Sequence, residues 1–94
     1  MSGGSWDYVY GRVGEAAERL QRERSSVRRA FGRHLALVAH ALHEIEWCDS
    51  GDHGGDQDVV AMRACLTPHQ EADELRAMIA ALRADLVELE ARLP

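Results

Sequence analysis

The stretch Leu75-Arg76-Ala77-Met78-Ile79-Ala80-Ala81-Leu82-Arg83-Ala84-Asp85-Leu86-Val87-Glu88-Leu89-Glu90-Ala91-Arg92-Leu93 decides the fold class. Leu75, Ile79, Leu82, Leu86, Leu89 and Leu93 alternate spacings of four and three without a slip, so one face of a helix carries every large apolar residue of that series. Upstream, Thr67-Pro68 followed by Gln70 supplies a cap, a proline suited to the first helical position and a capping-box partner. The spacing predicts a helix from Pro68 to Leu93, roughly 39 Å long at 1.5 Å per residue. Such a pattern suits a coiled-coil-like seam, either against earlier helices of the same chain or against a second copy. Packing within the chain is the expected use, which makes a monomer the first expectation and a dimer the alternative.

Working back toward the N-terminus, the pattern stays helical. Trp6, Val9, Tyr10, Val13, Ala17 and Leu20 share one face. Ser5 is the expected cap of this first helix, with Asp7 favourably placed in its first turn and Ser2–Ser5 a flexible start. Gly11 and Gly14 lie off the apolar stripe and mark a bend or a close approach. A second helix is predicted over Val27–Trp47 with Ser25 or Ser26 as cap. Its core stripe reads Val27, Phe31, His34, Leu35, Val38, Leu42 and Ile45, with His34 expected as a hydrogen-bonded core residue. An opposite line, Ala36, His40, His43 and Trp47, makes this helix either the centre of a bundle or the carrier of a binding patch. Residues 48–58 read as an acidic Gly/Asp loop, and a short helix, Val59–Leu66, follows with Asp58 as cap. The expected architecture is all-α: one domain over residues 1–94, built as a small bundle of three long helices and one short one.

With 94 residues and roughly 60–65% of its unfolded surface buried, such a domain has a modest core and little room for a catalytic cleft. The eleven basic residues are all arginine, a bias that points to a GC-rich bacterium or its phage. The net charge of −5 is unevenly spread. Residues 1–43 hold seven arginines against four acids, whereas residues 44–94 hold twelve acids against four arginines. Phosphate would repel that second half, so direct nucleic-acid binding is not expected and a basic protein surface is the more natural partner. No apolar run is long enough to suggest a signal peptide or a membrane span, so a cytoplasmic protein without membrane contact is expected. Cys48 and Cys65 are then expected to be reduced thiols.

Ligand chemistry finds little support in the spacing. A calcium loop starting at Asp52 would place Gly54 at its third position and Arg63 at its twelfth, where oxygen ligands are required. His40, His43 and Glu44 converge on one helical face but lack the paired ligands of a zinc motif. Cys48 has no evident base and orienting group in a concave site, so no enzyme activity, metal or cofactor is expected. The remaining feature is the run from Glu44 to Asp58, with Glu44, Glu46, Asp49, Asp52, Asp56 and Asp58 around Trp47 and no basic residue among them. Carboxylates steer toward arginine and lysine while an aromatic ring anchors, so these seven residues form the candidate partner-binding set.

Two segments carry a resemblance. Met1-Ser2-Gly3-Gly4-Ser5-Trp6-Asp7-Tyr8 resembles the opening of small phage and prophage proteins that begin with SGGS and an aromatic-Asp-Tyr. Leu42-His43-Glu44-Ile45-Glu46-Trp47-Cys48-Asp49-Ser50-Gly51-Asp52 is similar to the IEW-x-DSGD run that members of that group often carry. Some small acidic phage proteins of this type are anti-CRISPRs. The resemblance therefore implies an inhibitor, acting in the bacterial host cell, that occupies the basic DNA-binding surface of a type I CRISPR surveillance complex and blocks its target. The alternative is a self-associating structural or regulatory phage protein that dimerises through the C-terminal leucine seam.

Overall fold

The computed structural model describes residues 7–51 and 55–94, so the expectations for Ser2–Trp6 and for Asp52, His53 and Gly54 lie outside the described residues. The described chain is all-helical, with α1 (Val9–Gln21), α2 (Ser26–Asp49), α3 (Gln57–Arg63) and α4 (Gln70–Glu90).

Helices α1 and α2 form an antiparallel hairpin joined by a short turn, and its contacts follow from small residues placed opposite one another. Ala17 is 1% exposed. Gly32 is buried against it so closely that a Cβ on Gly32 would come within 2.9 Å of the Ala17 carbonyl oxygen and of Leu20 Cβ. The Gln21 side-chain amide spans this crossing, donating to the Ala17 carbonyl at 3.2 Å and the Gly32 carbonyl at 3.4 Å. Farther along, Gly14 faces Ala39 at a comfortable 3.9 Å from its would-be Cβ. The Ser25 hydroxyl caps α2 by accepting from the Arg28 amide at 3.2 Å, one of the two caps expected from the sequence.

The start of α1 departs from expectation. Asp7 and Tyr8 both have positive φ, 53° and 56°, so Asp7 lies in a turn outside the helix and not in its first turn. A left-handed tyrosine is strained, and the Tyr8 amide is held by a carboxylate brought from the far end of α2. Helix α2 also runs past Trp47 to Asp49, so the loop begins two residues later than the acidic composition suggests.

Helix α3 rests on the C-terminal half of α2, where Ala41 and Ala61 are buried. At seven residues it is too short to cover the rest of that helix. Val27, Phe31 and His34, expected in the core, are exposed, since α1 crosses at Gly32 on another side. His34 is not a core histidine. Asp58, expected to cap α3, lies inside its first turn, where its side chain accepts from the Val59 amide at 2.9 Å; Asp56 holds the cap position.

Helix α4 packs against none of the other helices. The Gln70 side chain reaches back to the Thr67 amide at 2.6 Å, which is half of the expected capping box, although the helix itself runs from Gln70 to Glu90 and not from Pro68 to Leu93. Arg63 clamps Glu71 with two parallel hydrogen bonds of 2.9 Å across the turn between α3 and α4. From there α4 leads away from the α1–α3 body. The radius of gyration is 18.6 Å, against about 12 Å for a compact chain of this length. The expected packing of the last helix on the first two does not occur.

Candidate functional site: the acidic end of α2 and the bare seam of α4

The acidic candidate set divides once its side chains are placed. Glu46 is 2% exposed, and its Oε1 accepts the Tyr8 amide hydrogen at 3.0 Å. It holds the N-terminus of α1 and offers nothing to a partner, which removes it from the expected contact surface. Glu44 is half-buried, with Oε2 3.5 Å from His43 Nδ1. Trp47 is half-buried as well, and its indole N–H donates to His43 Nε2. The His43 ring meets Trp47 edge-on at 5.3 Å and Tyr10 edge-on at 4.8 Å, so the three rings lock α1 to α2. Asp58 is half-buried at the start of α3. Only Asp49 and Asp56 of the described candidates are exposed, and Asp52 lies outside the described residues.

The sequence contained a signal for Glu46 that composition obscures. It follows Leu42 by four residues and so continues the inward stripe of Leu35, Val38 and Leu42. A carboxylate on an apolar stripe needs an internal donor, and the unpaired amide at a helix start supplies one.

Among the described residues, no group of three His, Cys, Asp or Glu side chains is arranged to hold a metal ion. Both nitrogens of His43 face protein partners, and His40 is exposed. Cys48 and Cys65 are free thiols. Burial pushes both above the ordinary thiol range, with the Asp58 carboxylate adding to the effect on Cys48. Neither is activated as a nucleophile. No helix among the described residues is long and apolar enough to cross a membrane.

The second feature is the α4 seam. Leu75, Ile79, Leu82, Leu86, Leu89 and Leu93 are all exposed, Leu82 at 66%. In heptad terms Ile79 and Leu86 occupy a positions, and Leu75, Leu82 and Leu89 occupy d positions; Leu93 continues the a series three residues past the end of α4. Arg76, Arg83 and Glu90 flank one side of this stripe; Met78, Asp85 and Arg92 flank the other. Ion pairs Asp73–Arg76 at 3.0 Å and Glu88–Arg92 at 3.2 Å lie along the helix without covering the stripe. Such pairs contribute about 0.3–0.5 kcal/mol each to an isolated helix. They add little, and most of the stability of a 21-residue amphipathic helix comes from covering its apolar face.

Compared with known proteins, the chain matches no family model, no characterised protein and no solved structure.

Proposed function

We propose that this protein works through self-association, α4 closing on a second copy and leaving two α1–α3 bodies to meet other molecules. The supporting observation is the bare seam of α4. A compact protein of 10.5 kDa has an accessible surface of about 5,400 Å². This chain exposes 7412 Å². The excess of roughly 2,000 Å² comfortably exceeds the ~800 Å² that each partner contributes to a standard interface. Burying a leucine side chain stabilises by about 1.5–3 kcal/mol, so six on each copy can outweigh an association cost of roughly 4–15 kcal/mol.

Sedimentation equilibrium tests this directly. The expected result is a species of twice 10.5 kDa, reduced to a monomer by Leu82→Glu. A wild-type monomer at tens of micromolar would overturn the reading.

A second reading retains support from the phage-like segments and from the exposed Asp49 and Asp56: an anti-CRISPR acting in the bacterial host cell against the basic DNA-binding surface of a type I surveillance complex. Exposed carboxylates at one end of the body would compete there with target phosphates. A gel shift of target DNA by the purified complex decides it. Loss of the shift on adding the protein, restored by Asp49→Arg with Asp56→Arg, is the expected outcome. An unchanged shift together with normal cleavage removes this reading.

A further inference from the structure

We infer that the two α4 helices run antiparallel, with the two-fold axis passing at the level of Ala84; this rests on the dimer reading above. In that register Ile79 meets Leu89 of the second copy and Leu82 meets Leu86, while Leu75 lies opposite Leu93, in the turn just past the end of α4. All six seam residues are used, and Ala72, the weak residue that would continue the a series, is left outside the overlap.

The flanking charges favour this direction. Antiparallel pairing brings Arg76 of each copy beside Glu90 of the other, two opposite-charge pairs at the ends of the seam. The like pairs fall only at the axis, Arg83 with Arg83 and Asp85 with Asp85, on exposed rims where solvent screens them. Parallel pairing instead sets Asp85 beside Glu90 twice. Its attractive contact, Glu71 with Arg76, competes with the clamp that Arg63 already makes on Glu71. Parallel pairing also gathers Glu71, Asp73 and Glu74 of both copies at one end, whereas antiparallel pairing separates them and opposes the two helix dipoles. Leucine at two a positions, Leu86 and Leu93, lacks the β-branched preference of parallel two-stranded coils.

Single cysteines in a Cys48→Ser, Cys65→Ser background distinguish the arrangements. Arg83→Cys sits next to its own copy across the antiparallel axis but on opposite flanks of a parallel pair. Leu93→Cys faces its own copy only in the parallel pair, since the antiparallel register puts these residues roughly 27 Å apart. Under mild oxidation the full chain is expected to yield a disulfide-linked dimer with Arg83→Cys and none with Leu93→Cys. Any other pattern in a protein that still sediments as a dimer overturns the orientation. A monomer by sedimentation, with no crosslink from either variant, overturns the dimer reading itself.

Discussion

The Glu46 carboxylate accepts the backbone N–H of Tyr8 at 3.0 Å across 38 residues of sequence, so the end of α2 closes the beginning of α1. The acceptor is buried and positioned at the positive end of a helix dipole. It also offsets the left-handed backbone at Tyr8, whose φ is 56°.

Removing that acceptor should be costly. Glu46→Ala takes its acceptor from the part-buried Tyr8 amide and is expected to lower unfolding stability by about 1 kcal/mol. Glu46→Gln keeps an acceptor oxygen and should lose distinctly less. Urea midpoints of the two variants check the order. Equal losses would mean that the side chain only fills space.

The glycines of the hairpin should respond in opposite directions. Gly14→Ala places a methyl group at ordinary contact from Ala39, so removing a helix-interior glycine stabilises by up to about 1 kcal/mol. Gly32→Ala forces that methyl to 2.9 Å from a backbone carbonyl and from Leu20 Cβ. The helices must part, at a cost of about 1–3 kcal/mol. Thermal melts of both variants at one protein concentration provide the comparison.

The clamp at the start of α4 predicts a pH response. Arg63 donates two hydrogen bonds to Glu71 and holds its carboxyl below the ordinary glutamate range. A depressed folded value means that the contribution is fully present above the ordinary glutamate range and fades as pH falls through the lowered one. Carboxyl titration followed by NMR should therefore show Glu71 ionising below ordinary glutamates, and Arg63→Gln should return it to their range.

Helix content should depend on protein concentration. Helix α4 packs against no other described helix, so association that covers its seam should raise its helicity. Dilution from tens of micromolar to tens of nanomolar should weaken the circular dichroism signal at 222 nm. Leu82→Glu should show the diluted value at every concentration. A wild-type signal independent of concentration would mean that α4 is helical without a partner.

The sequence by itself determined the helices. Three-and-four apolar spacing, Ser25 before α2 and Gln70 after Thr67 are local signals, because helical periodicity and capping are settled within a few residues of chain. The Gly/Asp composition around Gly51, where the backbone turns left-handed at φ 79°, marked the break after α2 for the same reason. Which faces meet was decided only by the tertiary structure. Gly32 accepts α1 because Ala17 happens to lie opposite it. Glu46 turns inward to accept an amide hydrogen from Tyr8, 38 residues earlier. The same stripe of Leu75 to Leu93 would serve equally as a core face or an interface. Its exposure is a matter of how α4 leaves α3, a relation between two helices that no periodicity within either one encodes.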